Sequence, residues 1–184
     1  MPTIKYPAKI TKVYLFNLSI PIFFSNSTIP LVGLVDTTLM GHMENSKFLV
    51  ATGISTSVIT MIFWSFGFLR MGTTGLVSQS LGKGDYREIV LSVLRNLSLA
   101  LLISLIIIIL QTPILNLIDY FFYNSSETQG LIQKYISIRV WSAPAELSIY
   151  VLSGMFIGLQ KTKISSLLLS MFSILNIIFS YYFV

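Results

Sequence analysis

The stretch Leu97–Leu110, LSLALLISLIIIIL, holds no charge and no polar group larger than a serine hydroxyl. Four other stretches share its character. Apolar runs extend over roughly 13–35, 48–81, 89–111, 131–160 and 164–184. Each comes close to or exceeds the ~20 residues that a helix needs to cross a bilayer. Charged residues are 10% of the chain, where a soluble domain carries about 25%. The chain therefore reads as an all-α membrane protein with five transmembrane helices.

Several chemistries are excluded at once. There is no cysteine, so disulfides, thiolates and Cys-based metal sites are out. His42 is the single histidine, which leaves no His-based metal site or triad. No Ser-Lys pair stands with an orienting base, so no enzyme is read here. The formal net charge of +5 is spread over short loops and forms no basic-aromatic patch, so no nucleic acid is expected. GKG at 82–84 lacks the rest of a phosphate-loop pattern. Lys5, Lys9 and Lys12 before Val13–Phe24 imitate a signal peptide. The apolar run resumes at Ile29, so we read a retained first helix.

The spans carry their own punctuation. Pro21 and Pro30 interrupt the first, where Asn17, Ser19, Ser25, Asn26, Ser27 and Thr28 offer partners for freed carbonyls. The second, 48–81, is too long to stand upright and must tilt, kink or protrude. Gly67, Gly72 and Gly75 allow a bend or a close contact there, and Arg70 must snorkel or find an acceptor. Leu97–Leu110 reads as lipid-facing, Pro113 ends the third span, and 116–129 reads as a loop with an aromatic belt at 120–123. Arg139 and Glu146 are seven residues apart and share a helix face. On a straight helix that distance makes a direct bond unfavourable; either Pro144 between them bends them closer, or each pairs with another helix. Arg70, Arg139 and Glu146 are the candidates for an ion-pair network inside the bundle. Gly154 and Gly158 form a GxxxG helix-packing pair.

Basic residues set the orientation. With the N-terminus inside, Lys5, Lys9, Lys12, Lys83, Arg87, Lys161 and Lys163 fall on the inner side, and Lys47 and Lys134 on the outer. That bias points to a cytoplasmic N-terminus.

One acid stands out. Pro30–Met43 reads PLVGLVDTTLMGHM, and Asp36 is the only acid before Glu44. At the centre of a membrane helix a carboxylate costs roughly 2.5–3.5 kcal/mol, so such groups pair, titrate or touch substrate. At the headgroup level the cost nearly vanishes. Spacing alone leaves both readings open.

Val35-Asp36-Thr37, Gly41-His42, FGFLRMGTTGL at 66–76 with Gln79 and Gly82, IRVWSAP at 138–144 and NIIFSYYFV at 176–184 resemble, in order and spacing, the multidrug and toxic compound extrusion (MATE) transporters. Within that family they are similar to the subgroup named after the DNA-damage-inducible protein F. The resemblance implies about twelve helices in two six-helix lobes, of which this chain matches five helices of the first. It implies export of small organic cations or other xenobiotics across the inner membrane. H+ or Na+ would be the coupling ion, with no organic cofactor. The expected partners are the lipid bilayer and a missing C-terminal half. The chain is expected to be a truncated part, inactive by itself.

The resemblance also implies a coupling site. Asp36 matches a first-helix aspartate, and Asn176 matches an asparagine on the fifth. Four residues later the family has a second aspartate where this chain has Ser180. A carboxyl that loses hydration holds its proton more tightly, which suits Asp36 to proton coupling, and carboxylate and amide oxygens suit Na+. Serine can bond but cannot titrate, so a two-carboxylate site becomes a site with one. Glu146 is a second departure, since small residues usually follow Pro144 in the family. A lipid flippase of the same superfamily, or a structural remnant of a shortened gene, are the alternative readings.

Overall fold

A peptide group in hydrocarbon finds no water, so each apolar run must bond its own backbone, and it coils. The computed structural model describes residues 11–42, 46–121 and 126–183; the side chains at 25, 28–30, 36, 46, 121, 126 and 183 are outside the described set. The helices are α1 (Lys12–Gly41), α2 (Ser46–Ser65), α3 (Phe68–Lys83), α4 (Tyr86–Ile109), α5 (Gln111–Phe121), α6 (Ser126–Arg139), α7 (Ala143–Gly158) and α8 (Thr162–Phe183). A 3-10 turn at Val140–Ser142 joins α6 to α7. Among the described residues, four stretches are long and apolar enough to cross a membrane: Lys47–Lys83, Tyr86–Ile109, Glu127–Gly158 and Thr162–Tyr182. α1 adds a 30-residue helix with two shorter apolar stretches, Lys12–Phe24 and Leu31–Gly41.

Two of the four spans are broken, each for a local reason. In α2–α3 the N–H groups of Phe66 and Gly67 bond back three residues, to Phe63 and Trp64, and the α pattern lapses. A Cβ on Gly67 would sit 3.1 Å from the Trp64 carbonyl oxygen, so the bend favours glycine. At Gly72 and Gly75 an added Cβ would meet nothing within 4 Å among the described residues. In α6–α7 the cause is Pro144. It cannot donate to the Val140 carbonyl one turn back, and the Ala143 N–H takes that acceptor instead. An i→i+3 bond is a 3-10 turn.

The connections are short. Gly84 ends α3 at φ 72°, and Asp85 caps α4 by accepting the Glu88 N–H at 2.9 Å. The loop expected over 116–129 is in part a helix. α5 runs to Phe121, with Pro113 in its first turn, where a missing donor is harmless. It turns Ile118 into the core and leaves Leu117 and Tyr120 exposed, the layout of a helix lying along the membrane surface. Residues 122 and 123 of the expected aromatic belt lie outside the described residues.

The core lies between α3, α4 and α7, with α2 and α6 beside it. Leu69, Val77, Ile136, Val140, Leu147 and Val151 are almost fully buried there. α3 and α7 run parallel and touch through the GxxxG pair. A Cβ on Gly154 would stand 2.5 Å from the Arg70 carbonyl oxygen, and one on Gly158 2.9 Å from that of Thr74. α2 and α6 are also parallel, tied by the Lys47–Glu127 ion pair and by Thr56 and Tyr135, whose hydroxyls are 3.4 Å apart.

Candidate functional site

α1 and α8 pack on each other and stand apart from this core. Among the described residues neither buries a core hydrophobic; the buried residues of α8 are Thr162, Ser165 and Ser166. Polar contacts hold them in place, as expected where lipid tails compete for every apolar surface. The Tyr14 hydroxyl donates to Gln160 Oε1 at 2.6 Å, and the Ser166 hydroxyl donates to the Pro21 carbonyl. Ser153 of α7 and Ser165 of α8 share a hydrogen bond of 3.0 Å. A serine of α8 thus reaches the proline turn of α1, while Ser27 of α1 serves the Phe23 carbonyl at 2.9 Å.

These contacts fix direction and register. Tyr14 and Pro21 meet residues 160 and 166 in ascending order, so α1 and α8 run parallel. Counted onward from the Pro21–Ser166 contact at 1.5 Å per residue, the turn of α1 that holds residue 36 comes level with Ser180. Asn176 is one turn lower on α8; it is exposed, and Ser180 is partly exposed. The backbone of Asp36 belongs to α1, and its side chain lies outside the described residues. The hydroxyls beside it are occupied: Thr37 donates to Gly33 at 2.7 Å and Thr38 to Leu34 at 2.8 Å. His42 closes the helix, its Nδ1 2.7 Å from the Thr38 carbonyl oxygen.

The charged residues of the broken spans form a separate group. Arg139 Nη2 lies 3.8 Å from Glu146 Oε2, across the 3-10 turn. A guanidinium N–H donates to the Ser142 hydroxyl, which donates in turn to the Arg139 carbonyl at 2.7 Å. The guanidinium also sits 5.9 Å from the centre of the Phe63 ring, beside the break in α2–α3. Arg70 is not in this ion pair. It is partly buried on α3, as is Tyr150 on the neighbouring α7, one turn after Glu146. The Thr74 hydroxyl, 2.8 Å from the Arg70 carbonyl oxygen and 3.1 Å from that of Gly154, ties the same two helices.

Comparison with known proteins identifies this arrangement. The MatE family model matches residues 21–182. The chain is 35% identical over 164 residues to DNA damage-inducible protein F of Escherichia coli, covering 89% of this chain and 36% of that protein. It is 26% identical over 171 residues to multidrug resistance protein MdtK of Photorhabdus laumondii, covering 92% and 37%. In fold it is similar to an outward-facing multidrug resistance MATE family transporter, with TM-score 0.82 at 22% identity. A MOP superfamily transporter from Pyrococcus furiosus gives TM-score 0.81 at 22% identity. Each structure is matched over 91% of this chain and 37% of its own. The chain thus spans little more than a third of the length of the relatives it matches. Its helices make it a multi-pass membrane protein, and the chain belongs to the MatE family.

Proposed function

We propose that the chain forms part of the first lobe of a secondary antiporter that exports organic cations or other xenobiotics in exchange for H+ or Na+. Asp36 is the coupling carboxylate, and Asn176 and Ser180 line the same cavity. The observation that carries this reading is the parallel register of α1 and α8, which sets the turn of residue 36 level with Ser180. The relatives named for multidrug resistance support the substrate class.

The chemistry follows from the residues. Asp36 binds a proton or a sodium ion from one side and gives it up to the other, and a cationic substrate takes the vacated charge. Ser180 offers a hydroxyl oxygen and Asn176 an amide; neither titrates at working pH. One carboxylate therefore carries the exchange, and the ion-to-substrate ratio is set by one charge. Alternating access needs two bundles that rock about a site between them. Transport therefore belongs to an assembly containing a second bundle. It operates in the inner membrane with the N-terminus cytoplasmic, as the basic residues indicate.

The test is ethidium efflux from cells that carry the chain with a second bundle. Asp36→Asn should abolish ion-coupled efflux while membrane insertion is unchanged. Efflux equal to wild type would remove Asp36 from the mechanism. Ser180→Asp should raise coupling, and a loss of efflux on that change would show that the hydroxyl serves another design.

A further inference from the structure

At the other end of the α1–α8 pair, a cleft of about 450 Å³ opens between the first turns of α1 and the turn joining α7 to α8. Lys161 and Lys163 line it, both exposed. Thr162 between them is buried, and Asn17 faces them from α1. Among the described residues that line the cleft, none is acidic. Lys12, also exposed, begins α1 two residues before Tyr14. Gln160, whose side-chain oxygen accepts from Tyr14, holds the turn at φ 59°, a region that L side chains rarely adopt. Behind this polar mouth, Leu18 and Ile164 give apolar walls that continue onto the exposed Leu15 and Leu167.

Cations and neutral donors at a mouth, with apolar walls behind, complement a phosphate diester that carries acyl chains. Basic pockets between transmembrane helices on the cytoplasmic side are where acidic lipid headgroups dock. We propose that this cleft binds the headgroup of an anionic phospholipid, with Lys161 and Lys163 on its phosphate and the acyl chains along Leu18 and Ile164. The lipid then completes the contact between two helices that, among the described residues, contribute no buried hydrophobic, and it holds the register on which the coupling site depends. The proposal rests on the orientation given above only for which leaflet supplies the lipid.

The test is therefore made without a leaflet. The full chain in neutral detergent is titrated with dioleoylphosphatidylglycerol or dioleoylphosphatidylcholine, and bound lipid is counted by native mass spectrometry. Phosphatidylglycerol should bind at least about tenfold more tightly than phosphatidylcholine, and Lys161→Gln with Lys163→Gln should weaken it about twentyfold. Lys83→Gln, at the end of α3, should leave binding unchanged. Lys161→Arg with Lys163→Arg keeps both charges and should keep the lipid. Equal binding of the two lipids, or loss in the arginine variant as well as the glutamine one, would overturn the proposal. So would displacement of the lipid by millimolar inorganic phosphate, which would mark a site for free anions. A reversed orientation, read separately by labelling, would move the lipid to the other leaflet and leave these affinities as they are.

Discussion

Gly154 and Gly72 are both helical glycines, and their surroundings give opposite expectations. A methyl on Gly154 meets the Arg70 carbonyl at 2.5 Å, and backbone cannot step aside as a side chain can. Gly154→Ala should destabilise the chain by about 1–3 kcal/mol, the usual range for overpacking. Nothing lies within 4 Å of a methyl on Gly72, so Gly72→Ala should be neutral or stabilise by up to about 1 kcal/mol through helix propensity. Thermal unfolding in detergent distinguishes the two, and a shift of the same sign in both would refute the packing argument. The GxxxG spacing made Gly154 and Gly158 legible in the sequence. Gly72 and Gly75 looked equally capable of close contact, because spacing tells which residues share a face and not what that face meets.

At the level of the helix, the decisive residue is Pro144. A straight helix keeps positions 139 and 146 about two turns apart, roughly 10 Å along the axis. The 3-10 turn that Pro144 forces re-aims Arg139, and the two charged groups come to 3.8 Å. Pro144→Ala gives the Val140 carbonyl back its ordinary donor and should straighten the junction. In a double-mutant cycle on stability, Arg139→Gln and Glu146→Gln should couple by about 0.5–3 kcal/mol in the native background, and by much less in Pro144→Ala. Equal coupling in both backgrounds would show that the pair does not depend on the turn. The five apolar runs announced their helices plainly, and Gly67 and Pro144 marked both breaks. α5 was less visible, because Asn116, Asp119 and the preceding Pro113 look like loop residues. Its Ile118 faces the core and its Asp119 accepts from Gln133 of α6, which only the folded arrangement supplies.

For the molecule as a whole, orientation is open to direct measurement, because the chain contains no cysteine and a single introduced thiol is its own reporter. Lys134→Cys should react with an impermeant maleimide from outside intact cells, while Lys83→Cys and Lys161→Cys should react only after the membrane is opened. The reverse pattern would invert the topology. Which helix lies beside which was the least legible feature of the sequence, since lipid and protein interior ask for the same apolar side chains. Contacts such as Tyr14 to Gln160 supply what hydropathy leaves out. They also have a temporal meaning. α1 precedes α8 in the chain, and the α8 that receives it leaves the ribosome more than a hundred residues later. At about 5–20 residues per second, α1 must wait on the order of ten seconds in the bilayer before its parallel companion is inserted. The α1–α8 pair thus closes only after α2 to α7 have been made, and any slowing of translation after α7 prolongs the time α1 spends without its parallel companion.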